Sequence, residues 1–375
     1  AAQTGEPLDW LIRGGAVLDG TGNPSLPADI GIRAGRIVAI GRLSGVQARR
    51  IVDARGKLVV PGFIDLHSHA EEGLGSEDPR RRAAPNLVSQ GITTVVVNPD
   101  GFGPWPLAKQ RAELERAGVG PNVVLMVGHN TVRRLVLGED HRRAATAEEI
   151  GRMQALVREG MESGAFGLSA GLEYVPGIWS TTEELVALVG EIVPYGGVYI
   201  VHQRSESTEP RWYLPSRDPK GLPTLLEATR ESIEIGEKTG ARVVATHLKV
   251  MGAHYWGTAG ALVRLIEQAR GRGIDIWADQ YPYHSTGGDG AMVLIPGWAA
   301  GSDLLAEAPP PGARDYAAAV RRTMEDASLA EKVRRDIAHE MSRRGGAENI
   351  VVFDHPDRRL IGKTLHELAV ARGIG

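Results

Sequence analysis

From residue 58 onward, short β-rich apolar runs alternate with helical patterns, and this alternation restricts the fold more than any other feature of the chain. Runs near 58–67, 93–98, 122–128, 165–169, 198–203, 242–247, 274–280 and 349–353 read as strands. Helix signals fall between most of them. Thr146-x-x-Glu149 is a capping-box start for a helix ending near Gly164, and Ser180-x-x-Glu183 opens one ending near Gly196. Thr224 to Lys238 stops at Gly240, and Ala259 to Arg270 stops at Gly271. Strands alternating with helices predict a parallel α/β fold. Seven or eight such units over about 300 residues suit a closed (β/α)8, TIM-like barrel better than an open sheet.

The first 60 residues have a different texture. Short polar–apolar runs, punctuated by Gly14-Gly15, Asp19-Gly20 and Gly41, predict antiparallel β structure in a small sandwich or barrel. The expected organisation is therefore a β-sandwich part over 1–60 and a barrel over 61–375. Two stretches interrupt the barrel's rhythm. Residues 207–223 carry four prolines, which forbid a regular helix, and read either as an active-site lid or as a surface insertion. Residues 284–348 lack the strand–helix beat, and 284–375 read as an inserted segment before an expected eighth strand. Within them Ala306 to Gly312 is a linker and Asp315 to Arg343 looks helical.

Composition narrows the chemistry. With 43 Lys+Arg against 46 Asp+Glu, the net charge of −3 argues against a nucleic-acid partner held by bulk charge. No apolar run is long enough to span a membrane. The chain has no cysteine, so a transition-metal site must be built from His, Asp or Glu. No signal-peptide pattern opens the sequence. Ala1-Ala2-Gln3-Thr4 reads equally as a mature end left by an Ala-x-Ala cleavage or as a cloning remnant, which leaves cytoplasmic and periplasmic locations open.

The strongest local signal is Val59-Val60-Pro61-Gly62-Phe63-Ile64-Asp65-Leu66-His67-Ser68-His69. Side chains two apart on a strand share a face, so His67 and His69 point the same way from a strand end and can chelate one divalent ion. An isolated His-x-His is also met as hydrogen-bonded core or surface groups. Here two more histidines, His202 and His247, close later strands. In a barrel, C-terminal strand ends converge on one mouth, so four histidines on three strands predict a metal site.

Taken together, these motifs resemble the amidohydrolase superfamily and, within it, the N-acyl-D-amino-acid deacylases (D-aminoacylases). The resemblance runs over residues about 8–280. It rests on Gly20-Thr21-Gly22, Pro61-Gly62-Phe63-Ile64-Asp65-x-His67-x-His69, Gly91-Ile92-Thr93-Thr94-Val95-Val96, Gly128-His129-Asn130, Gly167-Leu168-Ser169-x-Gly171-Leu172, His202-x-Arg204-x-Glu206, His247-x-Lys249 and Asp279-x-Tyr281-Pro282-Tyr283. It implies a barrel carrying a small β-sandwich, one or two divalent ions (Zn²⁺, with Mn²⁺ an option) and metal-assisted hydrolysis of a small amide. In such a family His202, His247 and a residue of the second strand bind one ion, and His67 and His69 a second. The second-strand ligand is normally Cys, and Asp100 takes its place here. Lys249 and Tyr281 match positions that hold the substrate's α-carboxylate. Arg204 and Glu206 read as a pair fixing the loop after His202. His129 either lines the site or caps a turn. Glu173 stands where the family carries an apolar residue, and it either faces the site or is an ordinary loop carboxylate.

The C-terminal end departs further. Counting strands offers Asp354 as the family's catalytic Asp, whereas the resemblance makes 349–372 part of an inserted segment. On the second reading the eighth strand and its Asp lie beyond residue 375, and barrel and sandwich are both incomplete within the chain. Other readings are a superfamily peptidase or other small-amide hydrolase and, from a different class, a non-catalytic binding or scaffold protein.

Overall fold

The computed structural model describes residues 6–216, 222–283, 285–287, 294–301 and 314–374. The chain divides into two compact units, Ala1–Ile64 with Leu87–Thr94, and Asp65–Asn86 with Val95–Gly375.

The first unit contains β1 (Leu8–Val17), β2 (Leu26–Arg33), β3 (Arg36–Gly41), β4 (Ala48–Asp53) and β5 (Leu58–Val59). They form one five-stranded sheet, ordered β3-β2-β1-β4 with β5 also on β1. The expectation of antiparallel β structure is only half met. The β1–β2 and β2–β3 pairs are antiparallel, whereas β4 and β5 each pair with β1 in parallel. The parallel pairing arises because the chain returns to β1 by longer connections rather than by hairpin turns. Two small apolar clusters pack on the sheet. One is Leu8, Leu11 and Leu43, and the other is Val17, Ala28 and Ile30.

β6 (Phe63–Asp65) and β7 (Ile92–Val97) each begin in the first unit and end in the second. The second unit continues with β8 (Asn122–Leu125), β9 (Val127–Gly128), β10 (Gly167–Gly171), β11 (Val198–His202), β12 (Arg242–Ala245) and β13 (Ile276–Ala278). β9 to β13 form a sheet in strict chain order, and every pair in it is parallel. Helices stand between successive strands, at Ala147–Glu162, Thr182–Gly190, Leu225–Thr239 and Ala259–Gly271. The unit is thus α/β with a parallel sheet. Val96 of β7, Met126 between β8 and β9, Ile200 of β11 and Val244 of β12 form a single buried cluster.

The local signals explain the helix starts. Thr146 with Glu149, and Thr224 with Glu227, make complete capping boxes. The helix at 182 is capped by Thr181, which accepts from Glu184 N–H, and not by Ser180, whose hydroxyl donates to Gly177 O at 2.6 Å. The helical stretch after 314 breaks at Asp326, which caps the second helix, Ala327–Arg343. The predicted strand at 349–353 does not form. Val351 makes an isolated bridge to Thr364, since among the described residues this run pairs with just the short return at 362–365. Asp354 is exposed there. The linker at 306–312 and residues 217–221 of the proline-rich loop lie outside the described residues. Among the described residues no helix is long and apolar enough to cross a membrane.

Candidate metal centre

The site lies in the second unit, just past the ends of its strands. β6 stops at Asp65, so His67 and His69 are not on a strand, as the two-residue spacing had suggested. Asp65 Oδ1 accepts the His67 N–H at 3.1 Å, and Ser68 N–H donates to Val96 O at 3.0 Å. This turn still brings the rings together, with His67 Nε2 and His69 Nε2 3.2 Å apart. His202 is the last residue of β11. His247 follows the end of β12 with φ +38°, a strained left-handed backbone for such a residue. Its N–H donates to Asp279 Oδ1, which holds that conformation.

Asp100 sits in the turn after β7, also left-handed, at φ +56°. The turn is closely packed. Ser169 Oγ donates to Asn98 O at 2.6 Å and accepts from Gly101 N–H at 3.2 Å. A Cβ at Gly171 would lie 2.1 Å from Asp100 O, and one at Gly101 2.4 Å from Asn130 Oδ1. Only glycine permits this approach. The Gly-x-Ser-x-Gly segment on β10 therefore acts by giving Asp100 its seat.

Four imidazoles surround this carboxylate. Oδ1 lies 3.5 Å from His202 Nδ1 and 3.7 Å from His247 Nε2. Oδ2 lies 3.4 Å from His69 Nε2 and 3.6 Å from His67 Nε2. His202 Nδ1 and His247 Nε2 are 2.9 Å apart. Oδ1 is buried and takes no hydrogen bond. Burial works to raise the Asp100 pKa, but His202, His247, His67 and His69 hold it well below the carboxylate range. Burial likewise opposes charge on His202, yet Glu206, Asp100 and Glu173 push its pKa up to about 9. His202 is almost wholly enclosed, whereas the His69 side chain is 66% exposed, so the cluster opens on the His69 side.

The far nitrogens of the buried rings are also engaged. His67 Nδ1 is 2.9 Å from Thr246 Oγ1, and the Thr246 hydroxyl donates to Asp279 at 2.9 Å. A hydroxyl has one proton, so His67 Nδ1 is the donor, leaving the Nε2 lone pair facing Asp100. His247 Nδ1 lies 3.0 Å from Glu206 Oε1, and Lys249 Nζ contacts the same oxygen. Burial works to raise the Glu206 pKa, while His202, His247 and Lys249 hold it well below its ordinary value. Glu173 is buried, with Oε2 3.1 Å from His202 Nε2.

These donors fit a divalent ion. Ligand atoms about 2.1 Å from a tetrahedral ion stand about 3.4 Å apart, close to the spacings around Asp100. Two groups share its carboxylate, His67 with His69 and His202 with His247, as a bridge between two adjacent ions requires. The orphaned Oδ1 is a lone pair that a cation would satisfy.

The other sequence candidates are placed differently. Lys249 Nζ lies 5.8 Å from the centre of the Tyr281 ring, and burial followed by Glu206 pushes the Tyr281 hydroxyl up to about 12. Arg204 does not pair with Glu206. It binds Glu231 at 2.9 and 3.0 Å, while Glu206 is engaged by His247 and Lys249. His129 neither lines the cluster nor caps a turn. It is fully buried, with Nε2 2.9 Å from Glu184 Oε1. Thr246 and Asp279 were missed as supports of the site, although Asp279 stands in a motif singled out above.

Comparison with known proteins places these features in a family context. Residues 50–190 match the amidohydrolase family. The chain is 36% identical to a D-aminoacylase of Alcaligenes xylosoxydans xylosoxydans over 74% of its own length and 58% of the relative's. It thus spans less than two thirds of that protein. A D-aminoacylase mutant solved in complex with copper chloride is 30% identical, covering 98% of this chain and 68% of that one, with a TM-score of 0.67. The N-acyl-D-glutamate deacylase of Bordetella bronchiseptica, complexed with zinc and a phosphonate mimic of the tetrahedral intermediate, is 29% identical over the same shares, with a TM-score of 0.71.

Proposed function

The chain belongs to the D-aminoacylase family of the amidohydrolase superfamily, and from that premise we propose that it is a metal-dependent amidohydrolase cleaving the amide bond of N-acyl amino acids, foremost N-acyl-D-amino acids. The observation that carries this reading is the set of four imidazole nitrogens within 3.4–3.7 Å of one buried, under-bonded carboxylate. The zinc complex of the Bordetella relative supports Zn²⁺ as the ion, and the oxygen ligand Asp100 leaves Mn²⁺ as an option.

A bound divalent ion would polarise the amide carbonyl and acidify a water from a pKa of 15.7 to about 7. The chain's own residues prepare for this. Asp100 and two pairs of histidines would hold one or two ions. His202 offers Nδ1 and His247 offers Nε2, each with its other nitrogen anchored to a carboxylate. Lys249 Nζ lies beside His247 and would supply a point of attraction for the substrate's carboxylate. Tyr281 stands next to it and bounds the same space.

We read the parallel sheet as part of a (β/α)8 barrel and the mixed sheet as part of a β-sandwich. The strict chain order of β9 to β13, with a helix in each of the four intervals, supports the first. The reading is tested by elemental analysis of protein purified without chelators, followed by turnover of N-acetyl-D- and N-acetyl-L-amino acids with added Zn²⁺. The expected result is at least one ion per chain and turnover of a D substrate. Protein without metal would overturn the reading, and metal without turnover on any substrate would favour a binding protein.

A further inference from the structure

We propose that Glu173 is a positioning residue that sets which nitrogen of His202 faces Asp100 and couples that choice to the docking of the loop at 207–216. The inference rests on the metal-site reading above. Glu173 follows the end of β10 and is buried, and its two oxygens serve two different elements. Oε2 lies 3.1 Å from His202 Nε2, and Oε1 accepts the Arg211 backbone N–H at 2.8 Å.

A neutral imidazole carries one proton. The Glu173 Oε2 placed 3.1 Å from Nε2 accepts that proton's hydrogen bond, which leaves the Nδ1 lone pair to face Asp100 and His247. With an apolar residue at 173, nothing would hold the proton on Nε2, and Nδ1, 2.9 Å from His247 Nε2 and 3.5 Å from Asp100 Oδ1, would carry it in part of the population and present an N–H to the cation. The neighbouring Tyr174 strengthens the arrangement. Its ring lies against His202, with centroids 4.5 Å apart, and its hydroxyl is 3.1 Å from Arg211 Nη1. Consecutive residues of the β10 extension thus hold both the ligand ring and Arg211. On both sides of Arg211 the loop is fixed to the helix Ala327–Arg343. Ser216 N–H and Oγ donate to Asp336 at 2.8 and 2.7 Å, and Arg343 Nη1 donates to Pro210 O at 3.2 Å. Glu173 is where this loop meets the donor cluster.

The test compares wild type, Glu173→Leu and Glu173→Gln by zinc titration against a competing chelator and by amide hydrogen exchange at Arg211. Glu173→Leu is expected to weaken zinc binding about 10–100-fold, the usual effect of losing a carboxylate behind a ligand histidine. Its zinc stoichiometry at saturation stays as in wild type, and the Arg211 amide exchanges faster. Should the Leu variant not fold, Glu173→Gln decides the matter. It preserves volume but offers one acceptor to two N–H donors, so zinc affinity and Arg211 protection cannot both remain as in wild type. Unchanged values of both would overturn the proposal. So would loss of an ion at saturation, which would make Glu173 itself a ligand. A wild-type protein that takes up no zinc would overturn the metal reading, and this inference with it.

Discussion

The second unit buries two clusters of histidine and carboxylate that look alike in sequence but differ in kind. In one, Glu184 meets His129 Nε2 at 2.9 Å and the Arg133 guanidinium, so each of its oxygens receives a hydrogen. In the other, Asp100 is ringed by four imidazole nitrogens at 3.4–3.7 Å, and Oδ1 receives none. The first is closed by its own cation, since Arg133 supplies the charge that buried Glu184 needs. The second holds imidazole nitrogens that can turn lone pairs inward once their protons leave, around a carboxylate oxygen with no donor, so a cation can take the place that Arg133 fills in the first. Burial and residue type do not separate a structural network from a metal site. The direction of the lone pairs does.

The strongest way to break this comparison is Asp100→Asn. Asn tolerates the left-handed backbone at φ +56° and keeps the shape of the side chain, but not its charge. We expect loss of at least one ion per chain and a fall in turnover of about 10³-fold, or about 4 kcal/mol. Elemental analysis and steady-state kinetics would read both. A variant with full metal content and near-normal turnover would show that the two clusters are of the same kind.

Glu184→Ala is the reciprocal experiment. It leaves the Arg133 charge buried without its partner, so we expect a loss of about 3 kcal/mol in stability by urea unfolding, with unchanged metal content. Burial works to raise the Glu184 pKa, but His129 and Arg133 hold it below its ordinary value. Its contribution is therefore present above the unfolded pKa of about 4.3 and is lost as pH falls through the lower folded value. The variant should lack that part of the acid sensitivity.

The difference between the clusters was only partly legible in the sequence. The four histidines were readable from the His-x-His pair and from two later strand ends, Asp100 only through the family resemblance, and the structure brings His67, His69, Asp100, His202 and His247 together. The convergence of His67 and His69 came from a turn rather than from strand alternation. Partners set by tertiary packing were not readable. Glu231, distant in sequence, takes Arg204 from its near neighbour Glu206, and Glu184 takes His129. The run at 349–353 has strand propensity but lacks a neighbouring strand, and propensity alone does not supply one.

Proton competition sharpens the comparison further. Below about pH 9 His202 carries a proton that a metal must displace, because Glu206, Asp100 and Glu173 outweigh its burial. Apparent zinc affinity should then rise about tenfold per pH unit, or about 1.4 kcal/mol, and level off near pH 9. Zinc titrations buffered across that range would show the slope. A flat profile would mean that the ring does not exchange a proton for the ion.

Lys249 is the residue at which the two kinds of cluster meet. Like Arg133, it pairs with a buried carboxylate, Glu206. Unlike Arg133, it stands beside ligand His247 and the partly open Tyr281. If it serves substrate, Lys249→Met should raise KM for an N-acyl amino acid about fivefold, about 1 kcal/mol, with kcat and metal content little changed. The effect is kept small because Glu206 already holds part of the ammonium's bonding capacity, and a substrate carboxylate gains only what is left. If Lys249 merely closes the network as Arg133 does, KM stays put and the unfolding free energy drops instead. Measuring KM and urea unfolding on the same variant assigns the residue to one cluster type or the other.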